Sequence, residues 1–142
     1  METIEIFGDG GSRGNPGPAA SAFVVLKNGI EIYNQSKYLG ETTNNVAEYN
    51  SVLMALEWIK ADRKEIINSE KIYFKLDSEL ITKQILGIYK IKSEHLITLH
   101  QKVITLLQDI DKEIVFSSVP RLLNKTADSL VNRELDKHKH LS

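Results

Sequence analysis

The stretch KIYFKLDSELITKQIL, residues 71–86, decides how this chain is read. Lys71 to Leu76 alternates polar and apolar side chains, as a strand with one buried face does, and it stops at Asp77. Ser78 to Leu86 then takes up the spacing of a short helix. Upstream, Asn45 to Lys60 carries Val46, Val52, Leu53, Leu56 and Ile59 at helical intervals. Ala47, Tyr49, Met54, Ala55 and Trp58 make its other faces apolar too, so this helix is expected to be buried on both sides. A helix leading into a strand makes a crossover, and the strand it returns to is sought further upstream. Thr3 to Phe7, rich in β-formers and running on to Asp9, supplies it. Because parallel crossovers are right-handed, these two strands are expected to lie side by side.

The remaining elements fit around that pair. Gly10 to Pro18, with its glycines and prolines, reads as a structured turn. Ala20 to Leu26 and Ile30 to Leu39 read as strands joined at Lys27-Asn28-Gly29, where Asn-Gly supplies the positive φ of a tight hairpin. Leu96, Leu99, Val103, Leu106 and Ile110 mark a long amphipathic helix, Ile114 to Val119 a last strand, and Thr126 to Asp136 a last helix. The order βββ, αβα, α, β, α predicts an α/β fold built on a mixed sheet. No internal repeat, linker or low-complexity tract divides the chain, so residues 1–142 are expected to form one domain, with 137–142 as a flexible tail.

With 142 residues, 42% of them hydrophobic, the chain can bury a sizeable core. A formal net charge of −1 gives no general attraction to a polyanion. A nucleic-acid partner would have to be met by a local basic patch, by metal ions or by both. Zero cysteines exclude disulfides, thiol chemistry and a zinc ribbon. The N-terminal residues show no basic region followed by an apolar run, and no stretch approaches the roughly 20 apolar residues of a membrane span. A soluble, cytoplasmic protein without a membrane partner is expected, with a monomer as the default.

Four acids stand in distinctive local sequences: Asp9 in FGDGGSRGNPGPA, Glu48 in TTNNVAEY, Asp77 in FKLDSEL and Asp128 in NKTADSL. Carboxylate oxygens are the ligands of hard divalent cations, and a pair of ions ~4 Å apart can clamp both oxygens of a phosphodiester displacement. Each acid also has an ordinary structural explanation. Asn45-Val46-Ala47-Glu48 has the form of a capping box with Asn45 as N-cap. Asp77 precedes a helix that it could cap, Asp128 suits the first turn of the last helix, and Asp9 could hold a turn. If the first and fourth strands are adjacent, however, Asp9 and Asp77 meet near their carboxyl ends, where open α/β sheets place ligands. Glu57, Asp62, Glu65, Glu70, Asp109, Asp111 and Glu113 lie as solvated charges normally do and are given no chemistry.

These residues resemble a known family. Asp9-Gly10-Gly11-Ser12-Arg13-Gly14-Asn15-Pro16-Gly17-Pro18, Thr42-Thr43-Asn44-Asn45-Val46-Ala47-Glu48, Asp77-Ser78, and Asn124 with Ala127-Asp128 are together similar to type 1 ribonuclease H, most of all to its short bacterial and archaeal members. The resemblance runs from Ile4 to about Leu135. It implies a five-stranded mixed sheet with helices on both faces. It also implies endonucleolytic cleavage of the RNA strand of an RNA/DNA hybrid, with two Mg²⁺ or Mn²⁺ ions, leaving a 3′-hydroxyl and a 5′-phosphate. By matching position, Asp9, Glu48, Asp77 and Asp128 would be catalytic metal ligands. Asn15, Asn44 and Asn45 match positions that sense the 2′-hydroxyl in the minor groove, and Thr43 one that contacts phosphate on the DNA strand.

The chain departs from the family pattern at two places. Many bacterial members carry a histidine in the loop before the last acid. Here Ser117 to Lys125 has none, and Arg121 is the candidate to contact phosphate instead. Long members also have a basic helical protrusion, where this chain reads Ile85 to Lys92 with Lys83, Lys90 and Lys92 as a reduced patch. Weaker hybrid affinity with a strong salt dependence is expected. Two rival functions fit parts of the pattern: a binding module without turnover, and another nuclease on the same type of sheet. Intact acids speak against the first, and the glycine-proline turn with Asn44-Asn45 against the second.

Overall fold

A computed structural model describes residues 2–61 and 63–139. Five strands, β1 (Ile4–Ser12), β2 (Gly17–Lys27), β3 (Ile30–Thr42), β4 (Lys71–Leu76) and β5 (Glu113–Ser118), form one sheet in the order β3-β2-β1-β4-β5. The first three strands pair antiparallel, while β4 runs parallel to both β1 and β5. Among the described residues four α-helices flank the sheet: α1 (Asn44–Lys60), α2 (Glu79–Ile85), α3 (Glu94–Asp109) and α4 (Lys125–Lys139). The expected neighbour relation of the first and fourth strands holds, with Ile4 opposite Ile72 and Gly8 opposite Leu76.

Strand alternation divides the sheet into two covered faces. Ile4, Ile6, Phe23, Val25, Ile72, Phe74 and Phe116 point into a core shared with α1, α2 and α3. Ala20 and Ala22 point the other way, against Val131 and Leu135 of α4. Helix α1 is buried on both sides, as its two apolar faces predict: Val52, Leu56 and Ile59 are inaccessible or nearly so, and so are Tyr49, Ala55 and Trp58. Burial pushes the Tyr49 phenol up to about 12, and its hydroxyl donates to Gln84 Oε1 at 2.7 Å, which ties α1 to α2. At the far end Trp58 stacks on Tyr33 at 5.1 Å, with Phe23 beside both.

Several boundaries differ from the sequence reading, each for a local reason. Strand β1 does not stop near Asp9 but runs to Ser12, and β2 begins at Gly17, so the expected long turn contracts to the residues between them. A cis bond joins Asn15 to Pro16 within it. Gly10 therefore serves close packing and not a turn: a Cβ there would lie 2.2 Å from the carbonyl carbon of Ala47. Helix α1 starts at Asn44, with Thr43 in extended geometry (φ −94°, ψ 162°) and its hydroxyl accepting from Val46 N at 3.3 Å. The capping box with Asn45 as cap is thus overturned. Asp77 is not a cap either, because Ser78 caps α2 by accepting from Ile81 N at 3.2 Å.

The hairpin at Asn28-Gly29 has positive φ at both residues (52° and 81°), as read from the sequence. Lys137 to Lys139 belong to α4 and not to a flexible tail, since His138 stacks on Tyr38 at 3.9 Å and bonds to Glu134 at 3.1 Å. The rest of that expected tail, residues 140–142, lies outside the described residues, as does Asp62. Among the described residues no helix is long and apolar enough to cross a membrane.

Candidate active site

Register alone brings two of the acids together. Gly8 and Leu76 close the β1–β4 ladder, so the next residues, Asp9 still within β1 and Asp77 just past β4, stand at the same level. The missing side chain of Gly10 lets α1 settle against β1 at Ala47 and Glu48, which brings the Glu48 carboxylate to the same place. Asp9, Glu48 and Asp77 each present an oxygen within 4.8 Å of the others. Asp128, in the first turn of α4, is not part of that closest set but lines the same cleft of about 420 Å³.

Electrostatically this is an unfavourable arrangement for the protein alone. Burial, with the charges of Asp77 and Asp128 added to it, pushes the Asp9 carboxyl up to about 8. Glu48 is raised well above the usual carboxylate range by burial and by the charges of Asp9 and Asp77, against which Arg121 acts weakly. Glu48 Oε2 is buried without a hydrogen-bond partner. A buried, unpartnered carboxylate oxygen facing two other carboxylates is the environment a divalent cation compensates, and the all-oxygen donor set suits a hard ion. The residues present fit such an ion.

The other candidate residues divide into two groups. Asn44, Asn45 and Arg121 line the cleft with the acids. Asn15 and Thr43 do not: Thr43 caps α1, and Asn15 Oδ1 accepts from Asn44 N at 3.0 Å. Asn44 is further fixed by Ser12, whose N and Oγ donate to its Oδ1 at 2.8 and 3.1 Å. In the reduced basic patch Lys83 is engaged by Glu79 at 2.5 Å and by the Tyr89 hydroxyl at 3.3 Å, which leaves Lys90 and Lys92 as its exposed members.

Ser12 and Arg13, to which the sequence assigns no role, also line the cleft. Arg13 pairs with Asp136 at 2.7 Å and so ties the turn after β1 to α4. Nothing local marks either residue as such a contact, since both partners lie more than 30 positions away.

Comparison with known proteins agrees with this geometry. A family profile described as Reverse transcriptase-like matches residues 7–134. Ribonuclease HI of Halobacterium salinarum is 34% identical over 134 residues, which are 94% of this chain and 64% of that protein. A bifunctional protein of Mycobacterium tuberculosis is 33% identical over 135 residues, 94% of this chain but 35% of its own length. The chain therefore spans about a third of the mycobacterial relative and just under two thirds of the halobacterial one. Among solved structures, the compost-derived LC11 RNase H1, crystallised with an RNA/DNA hybrid, superposes with a TM-score of 0.88 at 39% identity, covering 99% of this chain and all of that one. From the sheet order, the gathered acids and these matches together, the chain belongs to the type 1 ribonuclease H family of enzymes.

Proposed function

We propose that this protein hydrolyses the RNA strand of RNA/DNA hybrids endonucleolytically, leaving a 3′-hydroxyl and a 5′-phosphate, with Asp9, Glu48, Asp77 and Asp128 holding two divalent cations, Mg²⁺ or Mn²⁺. The observation that carries this reading is the triad of carboxylate oxygens within 4.8 Å, one of whose members has a buried oxygen without a partner. When bound, such cations would lower the pKa of a water for attack on phosphorus and offset charge on the leaving 3′-oxygen. The chain's own contribution is to hold four acids on β1, α1, the end of β4 and α4, rigid elements that keep the donor set in place before substrate arrives. The water loses a proton as its oxygen bonds to phosphorus, the bond to the 3′-oxygen breaks, and that oxygen takes up a proton. No covalent intermediate with the protein is required.

Recognition is assigned to the cleft wall. Asn44 spends its Oδ1 on Ser12, so its amide N–H₂ is left to donate to a minor-groove acceptor or a 2′-hydroxyl, with Asn45 beside it. Asn15 supports Asn44 and adds its own amide at the exposed turn. Arg121, which also lines the cleft, is assigned to backbone phosphate, and Thr43 to the DNA strand. We further propose that the chain acts as one domain, as a monomer, in the cytoplasm.

The test is cleavage of a labelled hybrid beside matched RNA/RNA and DNA/DNA duplexes, with and without Mg²⁺ or Mn²⁺, by wild type and Asp77→Asn. Metal-dependent cutting of the hybrid's RNA strand alone, lost in a folded Asp77→Asn, is expected. Binding without cutting under every metal would replace the enzyme reading with that of a binding module.

A further inference from the structure

One buried side chain outside the acids is bound into the site from a direction the proposed chemistry does not use. Asn124 ends the short 3-10 turn Arg121–Asn124 and is 1% exposed. Its Nδ2 donates to Gly8 O at 2.8 Å and to Asp77 Oδ2 at 3.2 Å. Its Oδ1 is buried without a partner.

We propose that Asn124 is a positioning residue, which holds the Asp77 carboxylate in the orientation that completes the cation site. This rests on the reading that the acids bind a divalent cation. The two acceptors belong to different strands: Gly8 immediately precedes Asp9 on β1, and Asp77 immediately follows Leu76 of β4. Asn124 itself leads directly into α4, whose first turn carries Asp128. One amide nitrogen therefore joins the three segments that carry three of the four acids.

The chemistry of the pocket fixes the residue type. Both neighbours are acceptors, so the group facing them must offer two hydrogens, which an amide nitrogen does and a carboxylate or hydroxyl does not. Turning the amide over would set Oδ1 against a carbonyl and a carboxylate. The orientation with an unpartnered Oδ1 is thus retained because the nitrogen side is fully used. Groups that orient a metal ligand from behind commonly change metal affinity ten- to a hundredfold when removed.

The test measures Mn²⁺ binding by titration calorimetry, hybrid affinity without metal, and steady-state cleavage, for wild type and Asn124→Ala, with far-UV circular dichroism to check folding. Asn124→Ala should bind Mn²⁺ about 10- to 100-fold more weakly. It should lose kcat with an unchanged KM for the hybrid, keep its metal-free hybrid affinity, and regain activity at Mn²⁺ concentrations far above those that saturate the wild type. Should Asn124→Ala not fold, Asn124→Ser, whose hydroxyl can serve only one of the two acceptors, is judged by the same criteria. A folded variant that matches wild type in Mn²⁺ affinity and kcat overturns the proposal. So does a loss of hybrid affinity in step with kcat, which would indicate general damage. Absence of Mn²⁺ binding by wild type would instead overturn the cation reading of the acids, and this proposal with it.

Discussion

Replacing Asp9 with asparagine should make the metal-free protein more stable at pH 8 while abolishing its activity. In the folded, metal-free state the Asp9 carboxyl titrates at about 8 because it is buried and faces Asp77 and Asp128, and Glu48 is raised for the same kind of reason. The unfolded chain ionises these groups in the ordinary carboxylate range, so the native state binds more protons between pH 4 and pH 8. Stability from these groups is therefore fully present below the ordinary carboxylate pKa and is lost as pH rises toward 8. At about 1.4 kcal/mol per pH unit the displacement of Asp9 corresponds to on the order of 5 kcal/mol. Water entry and small outward shifts of the carboxylates reduce the observable part to about 1–3 kcal/mol. At about 2–4 °C per kcal/mol, this is a rise in Tm of roughly 2–12 °C for Asp9→Asn at pH 8. The assay is thermal unfolding in EDTA at pH 5, 6.5 and 8, read as variant minus wild type so that surface carboxylates cancel. The difference should vanish toward low pH. Millimolar Mg²⁺ at pH 8 should reverse it, because a ligand that binds the native site stabilises wild type and barely touches the variant. An Asp9→Asn protein less stable than wild type at pH 8 in EDTA, or a difference that does not change with pH, would refute the reasoning.

Three further outcomes follow from other contacts. Gly10→Ala inserts a methyl group into the Ala47 backbone, so it should cost about 1–3 kcal/mol or more and lower cleavage by moving Glu48; denaturant unfolding and a cleavage assay read both. Thr43→Ala removes the α1 cap and should cost about 1 kcal/mol, measurable as a shift in denaturation midpoint at unchanged m-value. Arg121→Ala should weaken hybrid binding and reduce the slope of log affinity against log salt by about one, whereas a slope equal to that of wild type would show that Arg121 meets no phosphate.

The fold was legible wherever one residue pattern had one meaning. Alternation over Lys71–Leu76, the two-faced apolar helix over Asn45–Lys60 and the Asn28-Gly29 hairpin led to the correct element order and to the parallel pairing of β1 with β4. Glycine has two meanings: around Gly10 it suggests a turn, although there it admits a helix backbone beside an extended strand. Capping was misassigned for a similar reason. Thr43, Asn44 and Asn45 are all competent N-caps, and the choice was made by distant partners, since Asn15 and Ser12 engage Asn44 and leave Thr43 at the boundary. The four acids stand out by their local settings, and three of them present oxygens within 4.8 Å of one another. The link from Asn124 to Asp77 spans 47 positions and has no local signal.

The distribution of those acids along the chain bears on when the protein can become active. Asp9, Glu48, Asp77 and Asp128 belong to segments spread from the first strand to the last helix, and Asn124 joins the early segments to the late one. A nascent polypeptide emerging from the ribosome can form the β1–β2–β3 meander early, whereas the proposed donor set of four acids is assembled only once α4 has been made and docked. On the proposed four-acid reading, detachment of α4 alone would withdraw Asp128 and switch cleavage off while most of the sheet stays intact.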